Sequence, residues 1–454
     1  MKSFANTIQE LMSEITQDAH VESAWLTAMA HMEHLAAKQI LGNISQSTPA
    51  EFVEEIRAHA ADEYRHRDVI TRIRPIQEPA SEAERDLRAR LCAMTESFTM
   101  SYFGNPVLVQ ANNRFAAYVH GAITIEQFPF QIYSSYIPAT SFAHIREAMA
   151  EVLSDETAHI QLGKKFRESL TEEDQLSLQQ LQAIEKDMCR IMVQRMTELI
   201  RIYKNSQKVQ NVGTKASTRL AWMLGERPAA TLAWVQALGF CESNAAIHMQ
   251  REFTSRNLPL PSQMPAHVED EMRHAKLLQR SVLLERRRWL AVPGYKDLEH
   301  RLNRKLERYL VRFFSALVRE LKDPEMLYLY GAWGLEMRVF KHYSDLVKWT
   351  DNVGVAYIVS DILEDEAEHT KMVNATLNEK NLLNPEILKF VRQMEEDIFE
   401  QIAAGVIEIL AEFDLKPSFT PPYIGAFSCV PSRALAEVGA DCAELVEQPA
   451  LMEL

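Results

Sequence analysis

The sequence predicts an all-α protein made of two tandem four-helix bundles, each with an additional C-terminal helix. Three observations lead there. Only 14 of the 454 residues are glycine, while Leu, Ala, Glu, Gln and Met recur throughout; that composition favours helix. Four stretches of the first half return in the second half in the same order. Each half also carries the same series of glutamates and histidines at helical spacing.

The bulk composition sets the frame. With 47% hydrophobic and 25% charged residues, the chain resembles an ordinary globular protein. Two units of about 200 residues each bury a sizeable core without disulfides. The formal charge of −14 and the lack of a basic stripe argue against nucleic acid as a partner. The N-terminal "MKSFANTIQELMSEI" is amphipathic and lacks the apolar core of a secretory signal. No run of 18 apolar residues occurs, so no membrane partner is expected. Cys92, Cys189, Cys241, Cys429 and Cys442 are scattered, which gives no zinc ribbon, rubredoxin-type centre or disulfide framework. A reducing cytoplasm is the expected location.

The repeat is the decisive feature. "SAWLTAMAHMEHLAAK" (23–38) returns as "LAWVQALGFCESNAAI" (232–247), and "ADEYRHRDV" (61–69) as "EDEMRHAKL" (269–277). "GAITIEQFPFQIY" (121–133) returns as "GAWGLEMRVFKHY" (331–343), and "LSDETAHI" (153–160) as "LEDEAEHT" (363–370). The offset stays between 208 and 210 residues, the mark of a duplication. The expected units are 1–206 and 219–413, joined by the polar stretch 205–218. The amphipathic segments 172–204 and 385–413 open on "TEEDQ" and "NPE", which suit helix N-termini, and read as fifth helices. Residues 414–454 carry Pro417, Pro421, Pro422 and Pro431 and are expected to form a non-helical tail.

Within each half the order is Glu, Glu-x-x-His, Glu, Glu-x-x-His. The first half supplies Glu33, Glu63 with His66, Glu126, and Glu156 with His159. The second supplies Glu242, Glu271 with His274, Glu336, and Glu366 with His369. Each lone Glu precedes its Glu-x-x-His by 29 or 30 residues, the length of a helix, a turn and the return. Positions i and i+3 share a helix face, so a Glu and a His at that spacing can both point inward. Two such pairs and two single glutamates make the ligand set of a two-metal carboxylate site. Oxygen donors with two imidazoles suit iron or manganese better than copper or zinc.

Chance is the competing explanation. With 14 histidines, roughly one Glu-x-x-His is expected at ordinary composition. Four occur, each with Asp directly before the Glu: Asp62, Asp155, Asp270 and Asp365. Chance gives well under ~0.1 of that longer pattern. Four carboxylates in one core would also cost several kcal/mol each if left without partners, and metal cations remove that conflict.

With its twelve ligand positions, the pattern resembles the di-iron carboxylate proteins of the ferritin-like superfamily: rubrerythrins, bacterial multicomponent monooxygenase hydroxylases and aryl-amine N-oxygenases. "DEYRH" and "DEMRH" match the Asp-Glu-x-Arg-His form of that superfamily. The resemblance implies a ferritin-like fold in each half, with two di-metal centres, iron favoured and manganese the alternative. It implies that Asp62, Asp155, Asp270 and Asp365 orient the ligand imidazoles, and that Arg65 and Arg273 hold those aspartates. The second motifs depart from the form, with Ala158 and Glu368 where an Arg might stand.

The halves differ around their common ligands. Pro129 follows Glu126 by three residues, which implies a kink or bulge in that helix; Met337, Arg338 and Val339 follow Glu336. The first half is therefore expected to be the main turnover site. Tyr64, Phe128, Phe130, Tyr133, Tyr136, Phe340 and Tyr343 are expected to pack the core. His31 and His34 flank Glu33 and are expected to be satisfied histidines rather than ligands.

The resemblance implies oxygen or peroxide chemistry. The expected activity is that of a di-iron oxidase or oxygenase that uses dioxygen on a small-molecule substrate. No flavin motif or ferredoxin cysteines occur, so an external electron donor is expected. A rubrerythrin-like or manganese-catalase-like peroxide scavenger is the first alternative, and an iron-storage protein the second. A third has one half acting only as a structural partner. A homo-oligomer is compatible with the sequence.

Overall fold

The computed structural model describes residues 3–107, 110–205 and 215–413, and among them it is helical with no strand. The expected tail 414–454 lies outside the described residues, as do Cys429, Cys442 and most of the 205–218 linker.

In the first half α1 is Phe4–Ile15, α2 Ala19–Asn43, α3 Val53–Ile73 and α4 Glu82–Tyr102. α5 is Arg114–Thr124, α6 Gln127–Tyr136, α7 Ala143–Arg167 and α8 Glu172–Lys204. In the second half α9 is Ala216–Gly225, α10 Pro228–Ser255, α11 Met264–Ser281 and α12 Leu283–Trp289. α13 is Tyr295–Glu320, α14 Pro324–Trp349, α15 Val353–Glu379 and α16 Pro385–Glu412. Many starts are written locally. Asp18, Ser81, Asn113, Thr171, Asp323, Asn352 and Asn384 each accept a hydrogen bond from a backbone N–H of the following first turn, as N-cap residues do. Pro228, Pro324 and Pro385 open α10, α14 and α16, where a missing N–H costs nothing.

Equivalent helices pair alike. α2 packs on α3, α6 on α7 and α3 on α7; in the second half α10 packs on α11, α14 on α15 and α11 on α15. α8 and α16 cover the expected fifth-helix ranges. The sequence reading missed α4 and α13, which carry none of the motif residues and pack along α2 and α10. Both lie in the long interval between a Glu-x-x-His and the next single Glu, which one turn cannot span.

Two of the shared helices differ between the halves, and α12 has no counterpart in the first half. The first half breaks at Ile125–Glu126, between α5 and α6, because Pro129 has no N–H for the Ile125 carbonyl. It also has a π-helical turn at Phe103–Val107, containing Pro106, directly after α4. The corresponding α14 and α13 run unbroken.

The halves meet along a polar seam. The N-terminus of α15 packs against α4 and α8, and its Val353 and Ala356 belong to the apolar core of the first half. Arg195 of α8 donates to Thr350 O at 3.0 Å and to Lys348 O, capping the C-terminus of α14. Arg90 of α4 donates to Asp351 at 2.6 Å, and Asn352 donates to Glu285 at 2.9 Å. Gly354 is required here, since a Cβ on it would lie 1.8 Å from Ser101 Oγ.

Arg195→Ala would strand the buried Thr350 carbonyl, release that of Lys348 and weaken the hold on Asp351. It is expected to destabilise the chain by about 2–4 kcal/mol, measured by urea unfolding. Arg57→Ala, which removes an exposed i, i+3 pair with Glu54, should change stability by less than about 0.5 kcal/mol. Equal effects would show that the seam carries no stability.

Candidate metal centres

The core of the first half brings all six motif residues together. Glu33 comes from α2, Glu63 and His66 from α3, Glu126 from the break before α6, and Glu156 and His159 from α7. All six are buried. Their donor atoms form two groups, each within 4.8 Å throughout: Glu33, Glu63, His66 and Glu156, and His59, Glu63, Glu126 and His159. Glu63 belongs to both. His66 Nδ1 faces Glu156 at 3.2 Å and Glu63 at 3.5 Å. His159 Nδ1 faces Glu63 at 3.0 Å and Glu156 at 3.6 Å.

The second half repeats this. Its groups are His267, Glu271, Glu336 and His369, and Glu271, His274 and Glu366, sharing Glu271. His274 Nδ1 lies 3.1 Å from Glu366, and His369 Nδ1 lies 3.4 Å from the same carboxylate. Glu242 stands outside the tighter group. Its carboxyl meets that of Glu271 and accepts a hydrogen bond from Tyr343.

The sequence reading missed His59 and His267. His59 Nε2 lies 3.0 Å from Glu63 and 3.4 Å from Glu126. His267 Nε2 lies 3.2 Å from Glu271 and 2.8 Å from Glu336. The signal was present, since "HAADEYRH" and "HVEDEMRH" place a His one helical turn before each first-motif Glu. Residues four apart share a helix face as surely as residues three apart. The Nδ1 atoms of these two imidazoles lie 2.9 Å from Tyr118 Oη and 3.2 Å from Tyr328 Oη.

The aspartates and arginines sit around the groups in a crossed pattern. His66 Nε2 meets Asp155 at 3.2 Å, and His159 Nε2 lies 3.7 Å from Asp62. His274 Nε2 meets Asp365 at 3.3 Å, and His369 Nε2 meets Asp270 at 3.2 Å. Each aspartate thus serves the histidine of the other motif. Arg65 spans Asp62 at 3.0 Å and Asp155 at 2.6 Å; Arg273 spans Asp270 at 3.5 Å and Asp365 at 2.5 Å. One arginine per half therefore serves both motifs, which is why the second motifs have none. The crossed bonds leave Nδ1 of each motif imidazole facing the carboxylates, the arrangement that orients metal-binding histidines.

Other expectations resolve differently. His31 Nε2 lies 4.0 Å from Glu96, and His34 receives a 3.2 Å hydrogen bond from Arg67; neither joins a group. Tyr133 and Tyr343 do more than pack, because each donates to a motif glutamate, Glu33 and Glu242. Phe340 is partly exposed rather than core.

The electrostatics show what the groups lack. Burial, then Glu156 and Glu63, pushes Glu33 well above the usual carboxylate range. Burial, then Glu271 and Glu366, does the same to Glu242. Burial alone would favour neutral imidazoles, yet the facing carboxylates raise His66 to about 11 and His369 to about 11. Both oxygens of Glu63, Glu156 and Glu366 lack a hydrogen-bond partner, as does Nδ1 of His66, His159, His274 and His369. Stranded buried polar atoms of this kind are costly, and their residues converge in groups whose ligand atoms lie within 4.8 Å of one another. The residues fit divalent cations.

Each half has a small cavity against its group, of about 30 Å³ in the first and about 40 Å³ in the second. Glu33 and Glu126 wall the first; Glu242, Glu271 and Glu336 wall the second. No described helix is long and apolar enough to cross a membrane.

Purified with iron or manganese, the chain should hold about four ions, two per ligand set. Glu63→Ala should empty the first half alone and Glu271→Ala the second, as read by metal analysis. His59→Ala should weaken one of the two ions in the first half. Loss of all metal in either glutamate variant would show that the sets are not separate. Asp155→Asn and Asp365→Asn should each lower affinity in their own half by about 10–100-fold, measured by competition with a chelator; unchanged affinity would rule out an orienting role. The chain matches no protein-family model, no curated protein and no solved structure.

Proposed function

We propose that each half is a ferritin-like bundle holding a pair of metal ions, iron by preference, and that the protein is a di-iron oxidase or oxygenase. One observation carries this reading: a single buried glutamate, Glu63 or Glu271, lies in two donor groups at once, and each of those groups has its own histidine. A shared carboxylate between two nitrogen-bearing groups is what a two-ion site requires and what an isolated cation does not. One ion would take Glu33, Glu63, His66 and Glu156; its neighbour would take His59, Glu63, Glu126 and His159. The second half would hold its pair through Glu242, Glu271, His274, Glu366, His267, Glu336 and His369.

A reduced iron pair supplies electrons to dioxygen. The chain does the rest. Asp155 holds Nε2 of His66 at 3.2 Å and Asp62 stands 3.7 Å from Nε2 of His159, so Nδ1 of each ring stays turned to the carboxylates. Tyr133 and Tyr343 steady Glu33 and Glu242. Apolar walls keep bulk water from the first centre, which strengthens every electrostatic interaction inside it. Glu126 sits at a helix break, so its backbone can shift without unwinding a full helix. The substrate is a small molecule, and reducing equivalents come from an external donor.

Peroxide scavenging is the second reading. It is favoured by the size of the cavities, which hold one to three water-sized molecules at rest.

The two readings separate by experiment. Di-ferrous protein mixed with dioxygen in a stopped-flow spectrometer should oxidise in two phases. The fast phase should vanish in Glu126→Ala and persist in Glu336→Ala, because the broken helix marks the reactive half. A fast phase that follows Glu336 would assign turnover to the second half. Rapid peroxide consumption without added reductant would select the scavenger.

A further inference from the structure

The two cavities occupy equivalent places and are built differently. Ala36 corresponds to Ala245, Ile40 to Met249, Ile125 to Leu335 and Thr99 to Leu310, and every one of these lines its cavity. In the second half Arg338 and His342 also line the space. Arg338 is locked there by two 2.8 Å hydrogen bonds to Glu395, and Tyr309 donates to the same carboxylate at 2.9 Å. In the first half position 128, the counterpart of Arg338, is Phe. Among the described residues, no Lys, Arg or His lines the first cavity; Glu33 and Glu126 are its only charged groups.

One polar group in that cavity is left over. Gln39 lines it, is more than nine-tenths buried, and has no partner for its Nε2 amide. In a folded core such a donor normally has an acceptor. The counterpart in the second half is His248, whose ring stacks on Phe314 with centroids 5.0 Å apart.

The resting volume of about 30 Å³ is too small for an organic molecule, so a wall must move. Phe103 is that wall. It is the first residue of the π-helical turn, and it is the least buried of the aromatic residues lining the cavity. Its ring lies over Gly121, where a Cβ would sit 2.5 Å from Phe103 Cε1. A π-turn carries one residue more than the α-helical repeat, so the chain can rotate there without breaking a long helix. When the Phe103 ring swings out it leaves room for one six-membered ring.

We propose that the first-half cavity is a substrate chamber for an uncharged, ring-sized molecule with one hydrogen-bond acceptor. The acceptor takes the Gln39 amide, the apolar body lies along Ala36, Ile40 and Ala122, and Phe103 is the gate. This deepens the oxidase reading and rests on it for the reaction. The binding claim stands on the cavity alone. A charged substrate is excluded: the walls offer an anion no positive group, and once metal ions engage Glu33 and Glu126 a cation finds no free carboxylate, so either charge would be buried unpaired at high cost.

The test is calorimetric titration of the full chain with benzonitrile, toluene, benzoate and benzylammonium, metal-loaded and metal-free. Benzonitrile should bind one site, about 5-fold tighter than toluene, as one added hydrogen bond gives. In the metal-loaded chain, benzoate and benzylammonium should bind at least about 100-fold more weakly than benzonitrile. Gln39→Leu should erase the preference for benzonitrile over toluene. Ala36→Phe should abolish binding, while Ala245→Phe leaves it unchanged. Phe103→Ala should raise the association rate. The proposal is overturned if the charged probes match benzonitrile, if Ala245→Phe and not Ala36→Phe removes binding, or if no probe binds even in Phe103→Ala. Metal content measured on the same samples keeps the two claims apart. Probe binding by a chain that takes up no metal when iron or manganese is offered would sink the oxidase reading and spare the chamber; metal uptake without probe binding would do the reverse.

Discussion

Four glutamates in each half are buried against one another, and the groups that meet them are imidazoles and a tyrosine hydroxyl. An isolated buried carboxylate is costly by several kcal/mol even after relaxation. A protein without metal can only shuffle protons to reduce that cost. Glu33 and Glu242 are driven toward the neutral acid, and the facing imidazoles are driven toward the cation. Two divalent cations per half would balance four carboxylates with neutral imidazoles and no borrowed protons. On the two-metal reading, then, loading and folding are linked, because any ligand that binds only the folded chain adds its binding free energy to stability.

The rest of each half follows from that constraint. Four carboxylates must arrive from different directions, which two antiparallel helix pairs provide. The histidines must present one nitrogen inward, which the crossed aspartates arrange. The aspartates lie nearer solvent and would repel each other, which Arg65 and Arg273 prevent. The two halves solve the problem with the same residues, down to a tyrosine on each of the outermost glutamates.

Much of this was legible in the sequence because helical spacing maps directly onto direction. Glu63 and His66, or Asp62 and Arg65, have fixed relative bearings once a helix is assumed. The same rule at a spacing of four reaches His59 and His267, which the i, i+3 motif does not include. What spacing cannot give is contact between helices far apart in sequence. That Asp155 serves His66 rather than its neighbour His159 depends on how α3 and α7 face each other. The ligand-free α4 and α13 were hidden for a similar reason: they bear no motif and show only as length. Pro129 did announce a break, because a missing N–H acts locally. The π-turn at Phe103 had no comparable mark, since Pro106 alone does not distinguish a bulge from a helix end.

The halves differ around their groups without losing them. Glu185 of α8 and Glu395 of α16 are counterparts. Glu395 is paired with Arg338 and Tyr309, so α16 is stitched to α14 directly beside the second group. Glu185 faces no such arginine, because its counterpart position is Phe128. Burial pushes it up to about 7, with only the Cys189 thiol donating to it at 3.1 Å. The ion pair and the unbroken α14 belong together: a helix pinned by a buried arginine has no freedom to bend. Where the arginine is replaced by phenylalanine, the helix next to Glu126 is both unpinned and interrupted by Pro129. Rigidity and access are thus divided between the two halves, and the half without the ion pair is the one whose cavity has a movable wall.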